Sequence, residues 1–132
     1  MIVVIAMATA TVLVLDGIWL TLMKPQYSKL VQGVQHSPLT LKLWPAVLSY
    51  ICVVVGIVFF AYPLAKAATN RMSLPLAALT YGGGLGLVVY GIWNFTNMAV
   101  FKDYNLTVGL MDLSWGIVLF TAVVYLLVWS KY

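Results

Sequence analysis

The sequence predicts an all-α integral membrane protein: one domain over residues 1–132, built as an antiparallel bundle of four transmembrane helices. Three observations support this prediction. Only 8% of the residues are charged, whereas a soluble domain carries about 25%. The hydrophobic fraction is 64%, which leaves too few polar side chains to cover a surface in water and also excludes a disordered chain. Finally, four stretches have the length of about 20 mostly apolar residues that crosses a bilayer.

The predicted spans cover about residues 2–23, 44–65, 74–97 and 106–129. The first lacks a basic leader and is longer than the apolar core of a signal peptide, so we expect a retained membrane helix. The longest connection is residues 24–42, within which residues 27–35 suit a short interfacial helix. The helix breakers expected in this connection are Pro25, Gly33, His36 and Pro38. Because the links between successive spans are short, the helices are expected to run antiparallel.

The net charge of +4 comes from basic residues that flank the spans. No run of basic residues is present, so nucleic acid is not an expected partner. One side of the membrane receives Lys24, Lys29, Lys42 and Lys102, and the other receives Lys66, Arg71 and Lys131. This near balance favours the first side in the cytoplasm only narrowly. The residues fit a bacterial inner membrane or an organellar membrane equally, with Trp44 and Trp129 as expected interface anchors at span ends.

Two acidic side chains fall inside the predicted spans. Asp16 lies eight residues before Lys24, and Asp112 lies seven residues after Asn105. A helix rises 1.5 Å per residue, so Asp16 lies roughly 12 Å and Asp112 roughly 10 Å inside the span ends. Both of these ends are on the same side of the membrane. An acid that faces lipid costs about 2.5–3.5 kcal/mol, so both should point into the bundle. Two poorly solvated carboxylates do not easily ionise together, so we expect the pKa of at least one to be raised. Its proton would then be shared between the two acids or donated to Asn94 or Tyr90. Alternatively, Lys24 reaches down toward Asp16.

Further polar side chains are predicted to reach the same layer. Tyr90, Asn94 and Asn97 share one face of the third span, and Ser49 lies near the start of the second. This layer suits either a pocket for a ligand, ion or proton, or a hydrogen-bond network that fixes the order of the helices. The glycines expected at close helix contacts are Gly56, Gly83, Gly86, Gly109 and Gly116. The tryptophans expected to pack inside the bundle are Trp19, Trp93 and Trp115.

The sequence contains no set of residues that would carry catalysis. Cys52 is the only cysteine and His36 the only histidine, so neither a metal cluster nor a Ser-His-Asp set is indicated. The glycine-rich segment 82–86 lacks the Lys-Ser/Thr of a phosphate-binding loop. We therefore expect no metal and no cofactor, and an enzyme acting on lipid is the least favoured function.

Several blocks resemble the membrane protein family called domain of unknown function 2177. They are Leu15-Asp16-x-x-Trp19-Leu20, Tyr27, Asn94-Phe95-Thr96-Asn97-Met98-Ala99 and Met111-Asp112-Leu113-Ser114-Trp115-Gly116. The resemblance covers essentially the whole chain and implies the same four spans. The third block of that family usually reads Tyr-Asp-x-Thr-Asn-x-Ala, whereas this chain has Trp93-Asn94. If the missing acid handles protons in relatives, this chain keeps the scaffold without that activity.

The sequence thus favours a non-catalytic accessory or structural subunit within a larger membrane assembly. The alternative is a lipid or small-molecule binding protein, or a small proton-coupled transporter, that uses Asp16 and Asp112. The expected partners are membrane lipids together with other membrane protein subunits or further copies of the chain.

Overall fold

A computed structural model describes residues 1–131, and all regular structure within them is helical. The four helices are α1 (Ile2–Gln35), α2 (Leu43–Ala68), α3 (Leu74–Val100) and α4 (Leu106–Trp129). Each is long and apolar enough to cross a membrane. The prediction of an all-α protein with four such helices is therefore confirmed, and the antiparallel order of all four stays a prediction.

Helix α1 continues well beyond the predicted end of the first span. It passes through Pro25 and Gly33 without a break, so the prediction that these two residues interrupt the helix is wrong. A proline inside a helix removes one backbone hydrogen bond and crowds the preceding turn. Here the side chains of Met23 and Leu30, on either side of the proline, are both buried. Packing of this face stabilises the helix across Pro25.

Helix α1 ends at His36, which was one of the expected breakers. His36 adopts a left-handed conformation with φ of 55°, and its backbone N–H donates to the carbonyl of Gln32. Pro38 follows shortly after, as is common beyond such a cap. Residues 27–35 are therefore helical, but they extend α1 and do not form a separate interfacial helix.

Helices α2 and α3 each contain a wider, π-helical stretch. These stretches are Ile57–Ala61 in α2 and Ala78–Gly83 in α3, and they contact each other. Both contribute buried side chains to the main apolar core. The irregular turns thus lie where α2 and α3 pack together.

Helix α4 contacts all three other helices. It contributes Leu119, Phe120, Val123, Val124 and Leu127 to the main apolar core, and α1 packs against this core with Val4, Ala8 and Val12. Large apolar side chains also cover much of the outer surface, as suits contact with lipid. Trp93 belongs to that outer surface and is 62% exposed, so the expectation that it packs inside is wrong. Trp44 and Trp129 are also exposed, at the ends of α2 and α4.

Glycines allow α3 and α4 to approach closely. A Cβ atom at Gly86 would overlap the backbone carbonyl of Gly116, and a Cβ at Gly116 would overlap the ring of Tyr90. A Cβ at Gly83 would stand 2.7 Å from Oγ1 of Thr121. These contacts leave no room for a side chain: the obstacle is backbone of α4 at Gly86, and side chains at Gly83 and Gly116.

The two remaining glycines of the predicted set differ from each other. A Cβ at Gly109 would overlap the methyl group of Met98, at the flexible end of a side chain. A Cβ at Gly56 would make an ordinary contact of 3.4 Å with Leu85. Gly56 is therefore the member of the set that tolerates a methyl group most readily.

We expect Gly86→Ala to destabilise the protein by about 1–3 kcal/mol, because the new methyl group meets backbone that moves only if α3 and α4 separate. The matched control is Gly84→Ala in the same helix, where nothing lies within 4 Å of the added Cβ. Both changes add the same helix propensity. Unfolding by dodecyl sulfate in mixed micelles measures the difference, and equal stability of the two variants would contradict the close contact.

Candidate functional site

The carboxylate of Asp16 is buried and hydrogen-bonded on both oxygens. Its side chain is 8% exposed. Oδ2 accepts a hydrogen bond from the Tyr50 hydroxyl at 2.6 Å, and Oδ1 accepts one from Nε1 of Trp115 at 2.9 Å. Asp16 lies on α1, Tyr50 on α2 and Trp115 on α4. One acid therefore joins three helices.

The carboxylate of Asp112 has an equivalent arrangement with different partners. Oδ1 accepts from the hydroxyl of Tyr27 at 2.5 Å, and Oδ2 accepts from Nδ2 of Asn94 at 2.8 Å. Tyr27 lies in the part of α1 beyond Pro25, and Asn94 lies on α3. Asp112 therefore joins α4 to α1 and to α3.

Asn94 is fully buried, at 0% exposure, and uses both ends of its amide. Besides its bond to Asp112, Nδ2 donates to the carbonyl of Tyr90 at 2.9 Å. Oδ1 accepts from the hydroxyl of Tyr104 at 2.8 Å. Burial raises the pKa of the Tyr104 phenol, and the Asp112 carboxylate acts in the same direction, so Tyr104 remains a donor at neutral pH. An amide suits this position because it donates to one neighbour while it accepts from another.

A pair of stacked indoles connects the two acids. The rings of Trp19 and Trp115 are nearly parallel, at 5°, with centroids 4.8 Å apart. Nε1 of Trp19 donates to the Tyr27 hydroxyl at 3.0 Å, and Nε1 of Trp115 donates to Asp16. We call the resulting set the polar network. Its members are Asp16, Trp19, Tyr27, Tyr50, Asn94, Tyr104, Asp112 and Trp115.

No basic side chain takes part in the polar network. Within residues 1–131, neither Asp16 nor Asp112 forms an ion pair, and the two carboxylates do not hydrogen-bond to each other. Lys24 is exposed, so the alternative in which it reaches toward Asp16 is not realised. Four neutral donors hold the four carboxylate oxygens.

The remaining residues of the predicted polar layer lie in different places. Tyr90 supplies only its backbone carbonyl, and its ring packs edge-on against Phe120 with centroids 6.1 Å apart. Asn97 is half-buried, and its Nδ2 has no hydrogen-bond partner within residues 1–131. Ser49 lies outside the network, because it is exposed and donates to the carbonyl of Ala46 in its own helix.

Sequence reasoning missed most of the donors in the network. Tyr50 and Tyr104 carried no signal, since tyrosines near span ends are common in membrane proteins. Tyr27 was visible in the family resemblance but was assigned to a connection. A continuous α1 would have revealed it, because residues 16, 23, 27 and 30 share one helical face.

A groove of about 430 Å³ runs along the stacked indoles on the outside of α4. Thr107, Met111, Ser114 and Val118 line it beside the two tryptophans. Ser114 donates to the carbonyl of Leu110 in its own helix, and both indole N–H groups bond within the network. The groove therefore offers mainly apolar and aromatic surface.

A metal site is not formed by the described residues. Residues 1–131 contain no group of three or more His, Cys, Asp or Glu side chains that would hold an ion. The two acids of the network are already coordinated by phenol, indole and amide donors.

A family described as a predicted membrane protein, domain of unknown function 2177, matches residues 1–129. The chain belongs to this family. Together with the four apolar helices, this membership makes it an integral, multi-pass membrane protein. No curated protein and no solved structure matches the chain.

The neighbouring residues Trp93 and Asn94 lie in opposite surroundings. Trp93 faces outward, whereas Asn94 is at the centre of the network. An aspartate at position 94 would place a second carboxylate against Asp112. The amide removes that conflict and supplies the donor that Asp112 needs.

We expect Tyr27→Phe to destabilise the protein by about 1–3 kcal/mol, because it leaves one oxygen of Asp112 without a donor. The control is Tyr125→Phe on α4, whose hydroxyl makes no hydrogen bond with residues 1–131. Detergent unfolding followed by circular dichroism measures both. A loss no larger than that of the control would show that the Asp112 contact contributes no stability.

We expect Asn94→Asp to make stability depend on pH. Two adjacent carboxylates do not readily ionise together, so the folded variant keeps a proton at neutral pH. The same aspartate in the unfolded chain has already released its proton above about pH 4. Stability then falls as pH rises. The deficit relative to the unmodified chain should be larger at pH 8 than at pH 5. Asn105→Asp is the control, since an aspartate caps the start of α4 as well as the asparagine does.

Proposed function

We propose that this protein is a non-catalytic accessory or structural subunit of a larger membrane assembly, in a bacterial inner membrane or an organellar membrane. The observation that supports this most is the complete use of both intramembrane acids. Each of the four carboxylate oxygens accepts a hydrogen bond from a side chain of the protein itself. Such a network fixes the order of the helices without requiring a ligand.

The buried acids offer little to a substrate or ion. A ligand that bound Asp16 would have to displace Tyr50 or Trp115, and the donor displaced would then be left unpaired. A buried group without a partner costs about 1–3 kcal/mol. The geometry therefore favours a structural role for the network over a binding role.

The outer faces of the helices supply the surface that a partner subunit would use. Helix α2 is the least covered, since 11% of its most apolar stretch is buried, compared with 33% for α3 and for α4. Leu48, Ile51, Val55 and Phe59 are exposed along α2 at helical spacing. Large apolar side chains of this kind pack against another membrane helix as well as against lipid.

The groove beside the stacked indoles supports an alternative function. Its aromatic wall would suit a lipid or an apolar small molecule. The two indoles of that wall donate to Tyr27 and to Asp16. In that case the protein would be a binding protein or a small proton-coupled transporter, and protonation of Asp16 or Asp112 would loosen the indole pair.

The two functions predict different results for Asp16→Asn. As a subunit, the full-length protein should purify in mild detergent with a membrane partner at a fixed ratio. The variant should reduce that recovery, because an amide keeps only one of the two oxygens that accept from Tyr50 and Trp115. As a transporter, the variant should stay folded and assembled but lose flux or ligand binding. The exposed Asp103 of the α3–α4 connection provides the control, Asp103→Asn.

Size-exclusion chromatography with mass measurement gives the stoichiometry, and circular dichroism gives the fold. Recovery of the protein alone in every mild detergent, with no effect of Asp16→Asn on assembly, would overturn the subunit proposal.

A further inference from the structure

A second cavity lies at the turn between α2 and α3, at the opposite end of α3 from Asn94. Its volume is about 550 Å³. The lining includes Leu64 near the end of α2, the turn residues Asn70, Arg71 and Met72, and Tyr81 of α3. We call it the turn pocket. It combines an apolar wall with a polar rim at a helix end, where the protein meets the membrane interface.

The backbone of this turn is well defined. The N–H groups of Arg71 and Met72 donate to the carbonyl of Ala68 at 2.9 Å and 3.0 Å. These bonds close the end of α2 and fix the position from which Arg71 extends. The pocket is thus formed by an ordered turn packed between two helices.

Three polar side chains of the turn pocket have no partner in the protein. Within residues 1–131, the guanidinium of Arg71, the amide of Asn70 and the hydroxyl of Tyr81 form no hydrogen bond or ion pair. In the polar network, by contrast, the donors contact acceptors of the chain. The turn pocket therefore offers a set of unused donors around one cavity.

The electrostatics of the turn pocket favour an anion. No acidic side chain lines it. The chain has three acids, of which Asp16 and Asp112 belong to the polar network and Asp103 lies in the α3–α4 connection. The charge of Arg71 is therefore not compensated by any carboxylate within residues 1–131.

We propose that the turn pocket binds the phosphate of an anionic membrane phospholipid. The planar guanidinium of Arg71 matches two phosphate oxygens, while Tyr81 and Asn70 supply further donors. The apolar wall, including Leu64 and the ring of Tyr81, contacts the glycerol and the start of an acyl chain. A zwitterionic headgroup fits less well, because its ammonium finds no carboxylate in the pocket. Basic pockets between transmembrane helices bind anionic lipids in this way.

This site is independent of the proposed subunit function. It uses none of the residues of the polar network, and it requires no partner protein. A failure of the lipid proposal would therefore leave the subunit proposal untouched, and the reverse also holds.

The test is a lipid titration of the purified full-length chain in a neutral detergent, read by native mass spectrometry. The probes are dioleoylphosphatidylglycerol and dioleoylphosphatidylcholine. We expect tighter binding of the phosphatidylglycerol, and we expect Arg71→Ala to weaken it by about tenfold, as for a lost hydrogen bond to a charged group. Tyr81→Phe should weaken it by about threefold, as for a neutral donor. Arg71→Lys should be intermediate, because it keeps the charge and loses the planar pair of donors.

The matched control is Lys102→Ala, which removes one positive charge from the α3–α4 connection. It should leave phosphatidylglycerol binding unchanged. Equal affinity for the two lipids, or equal effects of Arg71→Ala and Lys102→Ala, would overturn the proposal. Displacement of the lipid by millimolar inorganic phosphate would also overturn it, since the pocket would then recognise the free anion. If Arg71→Ala fails to fold, the affinity of Tyr81→Phe for phosphatidylglycerol tests the proposal, and an unchanged affinity would overturn it.

Discussion

The arrangement of this protein depends on holding two carboxylates inside a membrane without a positive charge. An unpaired acid in an apolar environment is very costly, so each oxygen needs a donor. The donors to Asp16 come from α2 and α4. The donors to Asp112 come from α1 and α3. Because lipid is as apolar as leucine, burial of apolar surface does little to select helix neighbours. The polar network instead supplies directional contacts between all four helices, and α3 and α4 pack closely at Gly86.

Two local features make the polar network possible. Helix α1 continues through Pro25, which carries Tyr27 to Asp112, and the stacked indoles link this contact to Asp16. The amide of Asn94 completes the set by donating to Asp112 and accepting from Tyr104. An acid at position 94 would instead add a third carboxylate to the same layer. The amide therefore adds no charge to the network and completes its hydrogen bonds, which is the reason that a structural role fits this chain.

The two ends of the structure differ in chemistry. Near Tyr104 the members of the polar network point into the protein and are paired, whereas the turn pocket around Arg71 has polar groups that no part of residues 1–131 satisfies. The first end explains how the helices are held together. The second end, with the exposed apolar face of α2, offers the surfaces through which the protein would meet lipids or another subunit.

The sequence by itself determined the four apolar helices and the intramembrane position of the two acids, since hydropathy and spacing are local properties of the chain. It did not determine the partners of those acids. In a hydropathy pattern tyrosine and tryptophan look apolar, and their donors matter only when a neighbouring helix brings an acceptor to about 3 Å. Ser49 and Trp93 lie on outer helix faces, which residue spacing alone does not distinguish from inner ones. Nor did it show that α1 crosses Pro25, because the burial of Met23 and Leu30 that stabilises this helix exists only after the helices pack. Tertiary packing thus decided which polar groups meet, because hydrogen bonds between helices depend on distances that no single segment contains.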